Sequence, residues 1–322
     1  MTTTPILKIE DLKKYFPITK GLVLQKTTGY VKAVDQISFS VNAGETFSLV
    51  GESGCGKTTT ANLVLKLEDP TEGNIFFQGK EITRMNRLEV KNYRKNIQAV
   101  FQDPFRSLNP RRKVKSIIAQ PLVAQKIGTR KTRIDRVHEL LEFVGLNSRQ
   151  AELYPHEFSG GQRQRIAIAR ALALEPIALI LDEPVSALDV SIQAQILNLL
   201  KDLQKNLGLT YLLISHDLAV VDHMSTTIGV MYLGSLVEVA PRKELLLNHR
   251  HPYTRALLDS VPVADPEVKM KATVKGEVPS PINLPTGCRF HTRCPMAESV
   301  CAKEEPKAIQ IAPNHFAACH IV

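Results

Sequence analysis

The chain has 322 residues, 43% of them hydrophobic, enough to bury one full α/β core with residues left for a second small module. Lys and Arg number 41 against 32 Asp and Glu, a net charge of +9 with a pI near 9.3; this favours anionic partners such as nucleotides, lipid headgroups or nucleic acid, although the charges are scattered and a solvated basic surface accounts for them equally well. No run of about 18 uninterrupted apolar residues occurs, and the start, MTTTPILKIEDLKKYF, lacks a basic-then-apolar secretory pattern, so the expectation is a soluble chain that stays in the cytoplasm.

In chain order, VKAVDQISFSVNAGETFSLV alternates apolar and β-branched residues around a turn at Asn42, Ala43 and Gly44, which predicts two strands. A glycine-rich loop and a helix, TTTANLVLKL, follow. From Arg106 to about Phe158 the pattern turns basic and helical. In RKTRIDRVHELLEFVGL, Ile134, Val137, Leu140, Leu141 and Val144 recur at helical spacing, which predicts an inserted helical subdomain over about residues 104–160. After Ser159 the order is helix (QRQRIAIARALAL), strand (IALILD), helix (VSIQAQILNLLKDLQKNL), strand (LTYLLIS), helix (LAVVDHM). Strands apolar along their whole length, separated by helices, imply a parallel sheet covered on both faces. Beyond about Pro252 proline and glycine rise, as in VPVADPEVKM and GEVPSPINLPTG, which predicts a linker and a small C-terminal module. The expected organisation is one domain over 1–252 and an extension over 253–322.

Gly51-Glu-Ser-Gly-Cys-Gly-Lys57-Thr58 fits G-x-x-x-x-G-K-[ST] between a strand and a helix, the context that makes this pattern a phosphate loop. Gly51, Ser53, Gly54 and Gly56 bring backbone N–H groups to phosphates, and the helix start at Lys57, Thr58 and Thr59 adds a positive dipole end. Lys57 neutralises β/γ charge, and the Thr58 hydroxyl ligates Mg²⁺. Cys55 reads as a small loop residue. In IALILDEP, Asp182 and Glu183 emerge at the carboxyl end of a buried strand, the ligand edge of such sheets. Asp182 is then the Mg²⁺ acid, and Glu183 the group that orients or deprotonates the attacking water.

A phosphate loop alone leaves kinases, GTPases and helicases open. The run FSGGQRQRIAIARAL resembles the signature of the ABC ATPases. Ser159, Gly160, Gly161 and Gln162 then form a second anion site at a helix start, which in that family contacts the γ-phosphate bound on the opposite subunit. Gln102 in VFQDP, Ser186-Ala-Leu-Asp189 and His216 in LLISHD follow the same family order. The resemblance implies that Gln102 senses the metal and water and links to the membrane partner, that Asp189 crosses a dimer seam, and that His216 contacts the γ-phosphate. It also implies a P-loop ABC fold with a predominantly parallel core sheet and an antiparallel β subdomain. Tyr30 is favoured over Tyr15 as the aromatic that stacks on adenine, in a region where GLVLQKTTGY reads as an insertion.

The tail, HPYTRALLDSVP with GEVPSPINLPTGCRFHTRCPMAESVC and a final HFAACH, resembles the C-terminal extension of oligopeptide and dipeptide importer ATPases. That likeness implies a peripheral subunit on the cytoplasmic face of the membrane, docked beneath two transmembrane permeases. It implies pairing with a second ATPase, related or identical, and supply from an extracytoplasmic peptide-binding protein. FRSLNPRRKV is the expected coupling stretch, or an exposed basic loop. Nickel and oligosaccharide importers share the tail and stay open as alternatives. A soluble ABC ATPase acting on nucleic acid is the rival from another class; a single cassette with no long heptad insertion and no aromatic-basic groove argues against nucleic acid. Intact Lys57, Asp182, Glu183 and His216 argue against a catalytically dead subunit.

Four of the five cysteines, Cys288, Cys294, Cys301 and Cys319, fall in this tail. Four thiols suit tetrahedral Zn²⁺ or a [4Fe-4S] cluster, with His291, His315 and His320 as substitute ligands. Disulfides are disfavoured in a reducing compartment, and a proline-rich tail gives free thiols little core to fill. Spacing alone does not choose the metal; the family resemblance favours an iron-sulfur cluster that clamps the tail.

Overall fold

A computed structural model describes residues 4–20, 26–260 and 276–322, without the side chains of Lys26 and Arg106. The GLVLQ part of the expected insertion, the linker VPVADPEVKM and the side chain of Arg106 in the coupling stretch lie outside the described residues. The chain folds as two compact units: Met1–Val41 with Thr46–Thr83 and Ser215–Val322, and Asn42–Glu45 with Arg84–Ile214.

The first unit opens with β1 (Leu7–Lys20) and β2 (Lys26–Val41), then β3 (Thr46–Val50), α1 (Lys57–Val64), β4 (Glu72–Phe77) and β5 (Lys80–Glu81). An antiparallel sheet runs β2-β1-β4-β5. Its inward face carries Leu7, Ile9, Ile37, Phe39, Ile75 and Phe77, all buried, as period-2 alternation requires of a sheet packed on one side. Phe39 stacks on Phe47 of β3 with ring centroids 4.3 Å apart, so this sheet rests on the strand that leads into the phosphate loop.

In the second unit come α2 (Arg87–Asn96), β6 (Ile97–Val100), α3 (Pro104–Ser107), α4 (Val114–Ile118), α5 (Gln120–Ala124) and α6 (Arg130–Phe143). Then follow α7 (Gly160–Leu172), β7 (Ala178–Asp182), α8 (Val190–Leu207) and β8 (Thr210–Ser215). Strands β6, β7 and β8 are parallel neighbours. Every residue of β7 and β8 is buried, and their residues 178–181 and 212–214 are apolar, as strands covered on both faces require. Of the stripe expected along α6, Val137, Leu140, Leu141 and the C-cap Val144 are buried, whereas Ile134 near its start is half-buried.

Back in the first unit are α9 (Leu218–Met224), β9 (Thr227–Tyr232), β10 (Ser235–Pro241), α10 (Arg242–Asn248), α11 (Pro252–Asp259), β11 (Ile309–Ala312) and β12 (His315–Ala317). Strand β9 lies parallel to β3, and β10 returns antiparallel to β9. The tail does not end in loops: β12 pairs with β10, and β11 with β12, both antiparallel. The fold class is therefore the one expected, α/β with a mostly parallel core and an added antiparallel sheet. Among the described residues no helix is long and apolar enough to cross a membrane.

Candidate functional site: a phosphate loop and a strand-end acid pair

In the first unit, β3 delivers the chain through the core with all five residues buried and releases it as the loop Gly51–Gly56. Gly56 has φ 111°, and a Cβ there would fall 2.1 Å from the Ala33 carbonyl oxygen; only glycine lets the loop close onto β2 at this point. Lys57 is buried and its ammonium donates to the Gly51 and Glu52 carbonyls at 2.7 and 3.0 Å, 3.7 Å from the Cys55 sulfur. Thr60 donates back to the Gly56 carbonyl at 3.1 Å. Ser53, Gly54 and Thr58 are exposed, and Thr59 is half-buried, so the loop's hydroxyls lie on its more exposed part while the Lys57 ammonium rests on carbonyls within it. Burial pushes the Cys55 thiol up, in keeping with a space-filling role. His216, also of this unit, follows β8 and is exposed.

Tyr30 is 52% exposed on β2. Tyr15 is committed elsewhere: its hydroxyl donates to Asp35, burial and that bond raise its pKa, and Lys32 stands 5.4 Å from its ring centroid.

In the second unit, the parallel register sets Val100 of β6 beside Leu181 of β7. Gln102 and Glu183 each lie two residues further on, so they leave adjacent strands on the same edge. The Gln102 side-chain amide donates to the Glu183 carboxylate at 2.5 Å. Glu183 has φ 48°, a left-handed conformation that is uncommon for a non-glycine residue. It is held by its N–H to the Ile214 carbonyl at 2.9 Å and by the Ser186 hydroxyl on its own carbonyl at 3.2 Å. Asp182, the last residue of β7, is 9% exposed.

Helix α7 begins with Ser159 and Gln162 capping one another: the Ser159 hydroxyl accepts from Gln162 N–H at 3.4 Å, and the Gln162 side-chain oxygen accepts from Ser159 N–H at 3.0 Å. This is a capping box, which fixes where the helix starts. A Cβ on Gly161 would lie 2.4 Å from Ile192 of α8, and one on Gly160 3.2 Å from Leu188. The small residues therefore allow α7 to approach the turn carrying Asp189, which stands at the N-terminal boundary of α8 without a side-chain capping bond and is exposed. Sequence reasoning missed Gln164. Fully buried, it donates to the Pro184 carbonyl at 2.6 Å and ties α7 to the residue after Glu183.

The iron-sulfur reading of the tail requires correction. Among the described residues, no group of three or more His, Cys, Asp or Glu side chains is placed to hold a metal ion. Cys288, Cys294, Cys301 and Cys319 are free thiols. Cys288 and Cys301 sit within an apolar cluster with Tyr232, Tyr253 and Phe290, so the tail does have a core for them to fill. Burial pushes the Cys288 thiol up to about 11 and raises Cys294 and Cys319 too, as expected of thiols that fill space in an apolar core. His291 and His320 bond instead to the Cys288 and Glu304 carbonyls, and His315 to Glu238. The same argument removes the zinc alternative.

A lysine-bearing phosphate loop in one unit, and a strand-end acid pair with a capped glycine helix in the other, define a nucleoside-triphosphatase cassette. The family model described as "ABC transporter" matches residues 34–186, and "Oligopeptide/dipeptide transporter, C-terminal region" matches 237–301. The chain is 54% identical to the oligopeptide transport ATP-binding protein AppF of Bacillus subtilis, over 98% of this chain and 97% of that one. It is 47% identical to a probable peptide ABC transporter ATP-binding protein of Sinorhizobium fredii, over 98% and 90%. Among solved structures it resembles a dimeric ATP-binding cassette bound to ADP and Pi in a post-hydrolysis state (TM-score 0.64, 29% identity, 73% of this chain and 98% of that one). It also resembles CbiO1 of Clostridium perfringens, part of an ABC transporter complex (TM-score 0.66, 29% identity, 76% and 91%). The chain belongs to the ATP-binding subunits of ABC transporters, in the oligopeptide importer branch.

Proposed function

We propose that this chain binds ATP and hydrolyses it to ADP and phosphate to power uptake of oligopeptides or dipeptides. It does so as a peripheral subunit on the cytoplasmic face of the membrane, with two permeases, a second ATPase subunit and an extracytoplasmic peptide-binding protein. The observation that carries the hydrolytic part is the 2.5 Å bond from Gln102 to Glu183. It aims a carboxylate from a left-handed strand end, where it can hold a water by its proton and direct its oxygen at the terminal phosphorus. The peptide part is supported by the C-terminal match and by the relatives' names.

Residues 51–59 cradle the phosphates, with Lys57 meeting the β/γ charge. Tyr30, exposed on β2, offers its ring to adenine. His216 and the Ser159–Gln162 helix start serve the γ-phosphate, the latter on the ATP of the opposite subunit, with Asp189 at the seam. Thr58, Asp182 and Gln102 present hard oxygen donors of the kind Mg²⁺ takes, and are the residues that would hold it. Bound Mg²⁺ would neutralise charge developing on the phosphate oxygens. ATP-driven closure of two such subunits, and reopening after hydrolysis, would move the docked permeases.

Substitution tests these roles. Glu183→Gln should keep ATP binding and lower turnover by roughly 10²–10⁴-fold, measured as phosphate release; near-normal hydrolysis would remove Glu183 from its role. Lys57→Ala should weaken nucleotide binding itself.

A further inference from the structure

The phosphate loop is gripped from outside by a residue 241 positions away. Glu52, the first variable position of the loop, accepts from both terminal nitrogens of Arg293, at 2.9 and 3.1 Å. Such a two-pronged pair fixes direction as well as distance. The arginine side chain is 7% exposed and the glutamate's 29%. The guanidinium also reaches the Tyr232 hydroxyl at 3.3 Å and lies about 6 Å from the Tyr232 and Phe290 ring centres. The main chain of Glu52 is held too, its N–H donating to the Tyr253 hydroxyl at 2.9 Å.

Two consequences follow for a loop that must receive a triphosphate. The Glu52 carbonyl is one of the two on which the Lys57 ammonium rests, so displacing Glu52 displaces that lysine's support. Glu52 also brings a negative charge to a loop built for anions, and Arg293 offsets it at contact distance.

The Cys288-Arg-Phe-His-Thr-Arg-Cys294 stretch is built to deliver this grip. Cys288 N–H donates to the Cys301 carbonyl at 2.8 Å, and both thiols are buried. Arg289, four residues before Arg293, pairs with Asp35 at 2.6 Å and donates to the Leu233 carbonyl at 2.6 Å. Asp35 lies on β2, two residues past the Ala33 carbonyl that Gly56 approaches.

We infer that Arg293 is a positioning residue of the ATP site, through which the C-terminal extension sets the shape and charge of the phosphate loop by way of Glu52. The inference rests on the ATPase reading above. Phosphate contacts are made in ground state and transition state alike, so losing the brace raises KM for ATP more than it lowers kcat.

The test is equilibrium titration of the purified full chain with a fluorescent ATP analogue and Mg²⁺, with KM and kcat for ATP measured on the same preparations. Arg293→Gln is expected to weaken binding about tenfold, about 1.4 kcal/mol, with KM rising in step and kcat falling less than about twofold. Arg293→Lys keeps the charge but not the fork and is expected to bind ATP with an affinity between those of the wild type and Arg293→Gln. Unchanged affinity in both variants overturns the inference. So does a lowered melting temperature and kcat with KM unchanged, because that marks a structural role alone. Wild-type chain that binds no nucleotide, and so does not differ from Lys57→Ala, overturns the ATPase reading and this inference with it.

Discussion

Gly56 shows how one side-chain atom decides whether the site exists. A Cβ there meets the Ala33 carbonyl oxygen at 2.1 Å and the Met231 methyl at 2.7 Å, whereas one on Gly44, also at positive φ, meets nothing within 4 Å. Gly56→Ala should therefore cost on the order of 3 kcal/mol and abolish nucleotide binding, while Gly44→Ala costs about 1 kcal/mol through backbone conformation alone. Urea melts of the two variants side by side check this, and equal costs would deny the close approach. At this scale the sequence was informative where chemistry is local. Gly51 to Thr58 are contiguous, and Asp182 and Glu183 end an apolar run, so each could be read in place. Glu52 and Arg293 carry no shared local pattern, and their pairing appears only in three dimensions. The cysteines misled for a related reason: spacing along the chain says nothing of burial, and burial makes Cys288 and Cys301 core residues.

Among the elements, the helices were legible when periodicity and caps agreed. Helices α8 and α9 span the predicted runs, and the Ser159–Gln162 box marks the start of α7. Strands β11 and β12 were not legible, because three or four residues give no periodicity and their partner, β10, is far away in sequence. Helix α11 is capped by an unusual group. His251 is 1% exposed and its Nδ1 accepts from Tyr253 N–H at 3.0 Å, so it must be unprotonated there. Burial pulls its pKa down to about 4 from 6.5. A depressed histidine contributes stability that is present above the unfolded value and lost as pH falls toward the folded one, because the unfolded chain takes up the proton first. Between pH 7 and pH 5 this group should remove about 2 kcal/mol. His251→Asn, which still caps but does not titrate, should flatten that part of the stability profile. An unaltered pH slope in chemical-denaturation curves would assign the loss elsewhere.

For the whole molecule, the relatives match nearly end to end, with 98% of this chain and 97% of AppF aligned, so cassette and tail form one inherited unit. A tagged chain drawn from detergent-solubilised native membranes should bring two multi-span permeases and a second ATPase, identified by mass spectrometry. Recovery of a soluble or nucleic-acid-bound preparation would instead leave only the ATPase standing. The division of the chain also orders its biogenesis. The first unit is assembled from residues on both sides of 84–214, and Glu52 meets its arginine only at 293. A ribosome making this protein must finish the intervening unit and most of the tail before the phosphate loop gains its final support. Nascent chains halted before that point would carry the loop without its brace, so nucleotide affinity should mature late in synthesis.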